Sequence, residues 1–282
     1  MPKLTHGKLI KIGENAYRIT APNPGPMTAE GTNTYLFGSK SIAVVDPGPD
    51  IEQHVNAILA GIEQIGGTLT DVFVTHTHRD HSPAAKPLIA KYPTPVRQIG
   101  MLPPDEQFQD VGFEPDLVCT HGQIFETNEY RLRALHTPGH VGNHFCFLDE
   151  TNRLLLAGDH IMNGSTVVIV PPGGDMLDYI ASLKLLLDYD IEFIAPAHGD
   201  LMPDPAAEID KLVQHRLGRE AKVVEKLAAA GKSSIDDLVP LVYDDVDPSL
   251  HSFAYYSLWA HLIKLDKEQR ASVDQDIWQL IT

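Results

Sequence analysis

Cysteine is nearly absent from this chain. Two residues, Cys119 and Cys146, occur among 282, and neither has the paired spacing of a zinc ribbon or a redox motif. Cys146 alternates with Phe145 and Phe147 along an expected strand and reads as an inert small residue. Long apolar runs are missing too: no stretch approaches the ~20 apolar residues of a membrane span. The opening Met1-Pro2-Lys3-Leu4-Thr5-His6 has no apolar h-region. The expectation is therefore no secretory signal and a cytoplasmic location, which also argues against a disulfide between the two cysteines. Positive charge is in short supply. Lys and Arg number 22 against 38 Asp and Glu, for a net charge of −16. A chain this acidic lacks the broad basic footprint of a nucleic-acid binder, although local basic patches remain compatible with it.

What the chain does have is length and histidine. At 282 residues it can bury a large core, as one large domain or one domain plus an appendage. Its hydrophobic fraction of 43% is ordinary for a globular protein. Three histidines and a carboxylate crowd into Thr75-His76-Thr77-His78-Arg79-Asp80-His81, directly after the apolar Val72-Phe73-Val74. Neutral imidazole and carboxylate suit zinc and similar dications. Alternation along an extended strand end points His76 and His78 the same way. Asp80 and His81 then come from the following turn, which can aim them at a second point. The spacing suggests one cluster feeding two neighbouring metals. A catalytic zinc takes three protein ligands plus an open position, so further ligands are needed. Three later segments each place a candidate where an apolar stretch meets a turn: Thr137-Pro138-Gly139-His140, Ala157-Gly158-Asp159-His160 and Pro196-Ala197-His198-Gly199-Asp200.

This ordered set resembles the metallo-β-lactamase superfamily of hydrolases, whose signature is HxHxDH followed by His, Asp and His. All seven ligand positions are matched. The resemblance implies that His76, His78 and His140 hold a first metal, that Asp80, His81 and His198 hold a second, and that Asp159 bridges them. It implies two zinc ions per chain, with iron or manganese as alternatives that ligand type does not separate. Asp46, in Val44-Val45-Asp46-Pro47-Gly48, matches the family's early Asp and is expected behind the ligands, orienting one of them or their loop. His144 is expected to pack or hydrogen-bond behind the site, with His136 and His160 near ligands. His6, His54, His121, His215, His251 and His261 read as structural or surface residues.

Hydrophobic period organises the rest. Leu9–Ile12 with Ala16–Ile19, and Thr34–Phe37 with Ile42–Val45, read as strand pairs. Ile51, Val55, Ile58, Leu59 and Ile62 recur at helical spacing, predicting a helix over about 50–65. A strand over 71–75 then delivers the histidine cluster. Ser82-Pro83 reads as an N-cap followed by Pro at the first helical position, predicting a helix over 83–91. Pro83-Ala84 stands where the family often has Gly-Gly, which implies a stiffer loop. Further strands are expected near 95–100, 123–125 and 131–135, a hairpin over 145–157, a helix over 176–187 capped by Asp175, and a strand over 191–194. Beyond about Pro205 the pattern turns helical: one long helix ending before Gly231, a short capped helix near Ser233–Leu238, and another over 249–265. Phe253, Tyr255, Tyr256 and Trp259 read as core of this tail, ahead of the alternative of a dimer contact.

The implied fold class is α/β (α+β). It is an αββα metallo-β-lactamase sandwich over 1–204 with a helical, winged-helix-like region over 205–282. The tail, together with Met27–Leu36, Asp178-Tyr179 and Ser182-Leu183, resembles the β-lactamase-like protein 2 branch. The resulting expectation is a dinuclear zinc-dependent hydrolase that uses a metal-bound hydroxide on a small thioester, ester or lactone. Asp80 would be both ligand and acceptor for the nucleophile's proton. The alternative is a metal-dependent endoribonuclease cleaving single-stranded RNA, with Lys211, Arg216, Arg219 and Lys222 as phosphate contacts. Against that stands their interleaving with Glu208, Asp210, Glu220 and Glu225, the pattern of a solvated helix face. A non-catalytic scaffold is the third reading, disfavoured because it has no need of an open metal pair. No membrane partner is expected, and oligomeric state is not encoded legibly.

Overall fold

The computed structural model describes residues 4–281; the first three residues of the opening segment lie outside them. Two compact units are present. One comprises the chain up to Thr137, Asn143–Thr166 and Tyr189–Pro205. The other comprises Pro138–Gly142, Val167–Asp188 and the chain from Ala206 onward.

The first unit contains two sheets. Strands β1 (Ile10–Gly13), β2 (Ala16–Thr20), β3 (Asn33–Phe37), β4 (Ser41–Val45), β5 (Thr68–Phe73), β6 (Arg97–Gly100) and β7 (Leu117–Val118) pair in sequence order. Strands β8 (Ile124–Glu126), β9 (Arg131–His136), β10 (Phe145–Asp149), β11 (Leu154–Gly158), β12 (Phe193–Pro196) and β13 (Met202–Pro203) form the second sheet, also in order. Period-2 alternation distributes the apolar residues of β3, β4 and β5 between two cores. Tyr35, Phe37, Ala43, Val45 and Phe73 face Phe125, Leu132, Ala134, Phe147 and Leu156 between the sheets. Leu36, Ile42, Val44 and Val72 face outward against Val55, Ile58 and Ile62 of α1 (Glu52–Ile65) and Leu88 of α2 (Ala85–Ile89). Phe73 meets Phe125 and Phe147 edge-on at ring separations of 5.1 and 5.3 Å, the arrangement aromatic quadrupoles prefer. The strand that carries the histidine cluster is thereby fixed from both faces.

Two local expectations are corrected. Ser82 does not cap a helix starting at Pro83: α2 begins at Ala85 behind Ala84, without a side-chain cap. The Ser82 hydroxyl instead donates to Asp110 Oδ2 at 2.8 Å, because a side-chain acceptor on the neighbouring loop outcompetes the helix's own amides. Strand β5 also ends at Phe73 rather than Thr75.

The second unit is mainly helical. It holds α3 (Met176–Leu185), α4 (Pro205–Ala230, within this unit from Ala206), α5 (Ile235–Val242) and α6 (His251–Lys267). The hairpin β14 (Ala271–Asp274) and β15 (Ile277–Leu280) completes it. Asp175 caps α3 by accepting from Leu177 N and Asp178 N, and Ser234 caps α5 by accepting from Asp237 N. Val223 and Leu227 of α4, Leu238 and Val242 of α5, Leu258, Leu262 and Leu265 of α6, and Trp278 of β15 share one core. Tyr255 and Trp259 pack against that core, whereas Phe253 and Tyr256 are exposed. No helix among the described residues is long and apolar enough to cross a membrane. Both cysteines are free and buried.

Candidate metal centre

The centre begins where β5 ends. Val74 N donates to Ile99 O and Phe145 N to Thr75 O, at 2.9 and 2.7 Å, so the chain leaving β5 stays pinned between its neighbours. Asp46, at the end of β4, has φ of +50°, a conformation costly for residues other than glycine but tolerated by Asp and Asn. Its carboxylate accepts from Thr75 N and Thr75 Oγ1, each at 2.8 Å, and from His81 Nδ1 at 3.0 Å. Asp46 thus lies in hydrogen-bond contact with His81 and with the residue before His76.

Six of the seven expected ligands lie in the first unit and gather there in two sets. Ligand atoms of His76, His78 and Asp159 lie within 4.8 Å of one another, as do those of Asp80, His81 and His198. His76 Nε2 is 2.9 Å from His78 Nδ1. Asp80 Oδ2 is 3.5 Å from His81 Nε2 and 3.3 Å from His198 Nε2. Asp159 Oδ1 stands 3.6 and 3.2 Å from those same two nitrogens, so it faces both sets, as a bridging carboxylate must. Donors ~2.0–2.1 Å from a tetrahedral zinc sit about 3.3 Å apart, close to these spacings.

Hydrogen bonds fix which ring nitrogen is left for a metal. Nδ1 of His81 donates to Asp46, and Nδ1 of His198 donates to Gly31 O at 3.3 Å. Both Nε2 atoms are buried and make no hydrogen bond, a costly state that a cation relieves. Thr75 Oγ1, already donating to Asp46, accepts from His76 Nδ1 at 3.1 Å. This arrangement fits a divalent ion.

The electrostatics agree. Burial alone would raise the Asp80 carboxyl, but the neighbouring His81 and His198 outweigh it and hold the group at about 2. Burial also opposes ionisation of Asp159, and His198 and His81 overcome it, keeping that carboxyl well below the usual range. Burial and the neighbouring His81 and His78 push His76 well below its ordinary value, so its imidazole is neutral. The centre thus offers ionised carboxylates beside a neutral His76, while burial is outweighed at His81 and His198 by Asp80 and Asp159, which raise both imidazoles, His198 to about 10. A dication would take the place of those protons among carboxylate and imidazole donors.

The seventh candidate, His140, lies on the Pro138–Gly142 segment of the second unit. Its Nδ1 donates to Val168 O at 2.8 Å, leaving Nε2 to act as a ligand atom. His144 behaves as expected: Nε2 accepts from Asp159 N at 3.2 Å and Nδ1 donates to Thr137 Oγ1 at 2.9 Å. His160 is fully buried, its ring 5.8 Å from that of His144. His136 stacks 4.9 Å from Phe145. Of the histidines read as structural or surface, His54 and His261 are completely buried.

Sequence reasoning missed the residues that stiffen the loop. Thr75 ties Asp46 to His76. Thr77 Oγ1 donates to Gln109 Oε1 at 2.6 Å and accepts from Asn143 Nδ2 at 2.7 Å. A threonine before and between the histidines was the available signal, but its partners come from Asp46, Gln109 and Asn143, and no local pattern links them.

Comparison with known proteins decides the family. The pattern of the metallo-beta-lactamase superfamily matches residues 27–198, and that of the beta-lactamase associated winged helix domain matches 234–278. The chain belongs to the metallo-β-lactamase superfamily. The superfamily's αββα fold and a C-terminal winged helix account for both sheets, α5, α6 and the final hairpin. Membership and the His/Asp cluster together make the chain an enzyme, a metal-dependent hydrolase. A Beta-lactamase-like protein 2 homolog of Drosophila melanogaster is 30% identical over 279 residues, 95% of this chain and 93% of that one. An Atrochrysone carboxyl ACP thioesterase of Aspergillus chevalieri is 29% identical, covering 84% and 75% of the two chains. A beta-lactamase domain protein from Burkholderia ambifaria shares the fold with a TM-score of 0.82 at 18% identity, over 98% and 96% of the chains.

Proposed function

We propose that this superfamily member is a dinuclear zinc-dependent hydrolase of a small thioester, ester or lactone. In this reading His76, His78 and His140 serve one metal, Asp80, His81 and His198 the other, and Asp159 both. The catalytic domain is taken as residues 1–204. The observation that carries the reading is the pair of ligand sets, with the buried Nε2 atoms of His81 and His198 facing Asp80 and Asp159 without a hydrogen bond. Two dications supply Lewis acidity at the scissile group and bring a water's pKa down to about 7.

The chain's own residues set up the rest. Asp80 is the open member of its set: its side chain is 28% exposed, against 0% for His81 and 1% for His198. Its carboxylate can therefore reach the attacking water, orient it and take its proton. Thr32 Oγ1 donates to the same Oδ2 at 3.4 Å, which leaves that carboxylate its other oxygen. A thioester is favoured within the substrate class because a relative similar over most of the chain is named as a thioesterase.

The endoribonuclease alternative is less favoured, because most of its expected phosphate contacts are engaged elsewhere. Arg216 is buried at 3% exposure. Arg219 pairs with Asp245 at 2.7 Å, and Lys222 pairs with Asp244 and Asp245. Lys211 pairs with Glu208 at 3.4 Å. Groups already neutralised by carboxylates release few counterions to a phosphate backbone.

The test is a panel of acyl-N-acetylcysteamine thioesters, aryl esters and lactones given to the zinc-loaded chain and to His76→Ala, with single-stranded RNA in parallel. Thioester hydrolysis by the wild type, at least ~100-fold above the variant, is expected, since metal-ligand loss removes the main source of rate. RNA cleavage with every acyl substrate left intact overturns the assignment.

A further inference from the structure

We infer that Arg216, a buried arginine on α4, is a positioning residue for His140: it anchors the Val167 carbonyl, and through it the next residue, Val168, whose own carbonyl sets that histidine's tautomer and direction. The inference rests on the reading of His140 as a metal ligand. Everything it uses lies within the second unit.

Arg216 is an odd residue for an amphipathic helix. It sits on the buried stripe with Ile209, Leu212, Val213 and Val223. Burying a guanidinium is costly unless it finds strong partners. Nη2 donates to the backbone carbonyl of Val167 at 2.6 Å, and the guanidinium lies over the Tyr179 ring, 5.2 Å from its centroid. Nε is buried without a hydrogen bond. For stability alone a leucine would serve such a position better. The anchored carbonyl explains the choice, because the next residue, Val168, supplies the oxygen that takes the Nδ1 proton of His140 at 2.8 Å. Fixing the Val167 carbonyl restrains the peptide that leads into Val168, and with it the acceptor that keeps the proton on Nδ1 and makes Nε2 the lone-pair nitrogen.

The same ring that receives Arg216 belongs to the helix gripping the histidine's own backbone. Gly139 has φ of +140°, and a Cβ there would lie 2.3 Å from Tyr179 Cα. Only glycine lets α3 approach so closely. Asp175 N donates to Gly139 O at 2.7 Å and Ser182 Oγ to Pro138 O at 2.8 Å. Asp175 is in turn paired with Lys267 of α6. Backbone and ring of His140 are thus held from two sides, by α3 directly and by Arg216 through Val167, the neighbour of the Val168 acceptor. Partners of this kind around metal-binding histidines are worth ~10–100-fold in metal affinity.

The experiment uses the full chain with Arg216→Met, Arg216→Lys, His140→Ala and the His140→Ala/Arg216→Met double variant. Zinc binding is titrated with a competing chelator, and the His140 ring nitrogens are read by 15N NMR in zinc-free protein. His140→Ala should lose one zinc equivalent; if it keeps both, the ligand reading itself fails. Arg216→Met should weaken that same equivalent ~10–100-fold and convert a single Nδ1-protonated tautomer into a mixture. Arg216→Lys, with a single donor nitrogen and no planar fork, should fall between, and it takes over both readouts if Arg216→Met does not fold. In the double variant the Arg216 change should cost no further zinc affinity. Unchanged affinity and tautomer in the Arg216 variant, beside a lost equivalent in His140→Ala, overturns the inference. So does equal weakening of both zinc equivalents, which marks a purely structural role.

Discussion

Asp46 holds His81 by one carboxylate oxygen: Nδ1 of His81 lies 3.0 Å from Oδ2, and Thr75 Oγ1 donates to the same atom at 2.8 Å. One buried carboxylate thus sets the tautomer of an expected second-metal ligand and the position of the residue preceding an expected first-metal ligand. Asp46→Asn keeps the size and tolerates the left-handed backbone, but it has one acceptor oxygen for three donors. A charge-assisted hydrogen bond lost in a buried site costs ~1.5–3 kcal/mol. The variant should melt at lower denaturant and bind zinc ~10–100-fold more weakly. Wild-type zinc affinity in a folded Asp46→Asn protein would remove Asp46 from the proposal.

Zinc removal should destabilise the protein. The proposed ligands come from four separate stretches of the chain, at 76–81, 140, 159 and 198, so a metal bound to them binds the native chain far better than the unfolded one. At a free zinc concentration one hundred times the dissociation constant, each site adds ~2.7 kcal/mol. Melting with and without excess chelator should show the zinc-loaded protein unfolding several degrees higher, with zinc readdition restoring the difference. Identical curves count against both metal sites.

Asp80→Ala separates ligand from proton acceptor less cleanly than it tests their combination. The side chain is the exposed member of its set and is held ionised near 2. Its loss should leave less than about a tenth of wild-type turnover, because general-base catalysis alone contributes ~100-fold or more. Steady-state kinetics on the best thioester, at measured zinc content, gives the answer. Turnover above that level assigns proton transfer elsewhere.

The gathering of His76, His78 and Asp159, and of Asp80, His81 and His198, was legible in the sequence because candidate ligands must be particular residue types, and a strand end followed by a turn fixes the spacing of the first four in the chain. Asp46 and His144 were legible for a related reason, since each lies beside a strand that carries a ligand. Other features were hidden for physical causes. The β14–β15 turn uses Gln275 and Asp276 at φ of +47° and +67°, where a two-residue hairpin normally announces itself with Asn-Gly. The Ser82 hydroxyl found an acceptor 28 residues away, so its helix-capping signal was real but redirected. Arg216 read as a phosphate contact because its charge was grouped with Lys211, Arg219 and Lys222, although helical period, seven residues after Ile209 and four after Leu212, sets it in the middle of the apolar stripe. The Val167 carbonyl and the Tyr179 ring are the partners that a pattern along one helix does not show.

Acidification should act through His54. It is fully buried, and its Nε2 lies 2.8 Å from Thr34 Oγ1, which itself donates to Asp46 O. Neutral His54 therefore donates through Nε2. Burial lowers its pKa to about 4, against a partial rise from a Pro47 backbone hydrogen bond. The unfolded chain takes up the proton near 6.5 and the folded chain only near 4, so stability is complete above that window and falls as the pH drops through it. The difference is ~3 kcal/mol. Denaturant titrations of zinc-free wild type and His54→Gln between pH 7 and 4 should converge toward low pH by about that amount. A gap independent of pH would mean that His54 is not buried neutral.

Gly158 offers a test in which crowding and backbone strain can be separated. It precedes Asp159 with φ of +50°, and a Cβ there would lie 2.5 Å from His144 Nε2 and 2.8 Å from Thr75 Oγ1. Those two groups hold Asp159 N and Asp46 respectively, so an added methyl strikes both supports of the centre. Gly122 shares the left-handed conformation, φ +78°, but nothing lies within 4 Å of its Cβ position. Gly122→Ala should therefore cost only the left-handed backbone penalty of ~1–2 kcal/mol and leave zinc binding untouched. Gly158→Ala should cost more than that and weaken zinc binding as well. Equal stability losses with equal zinc affinity would show that His144 and Thr75 move aside freely, and that the rigidity assigned to the wall behind Asp159 is not there.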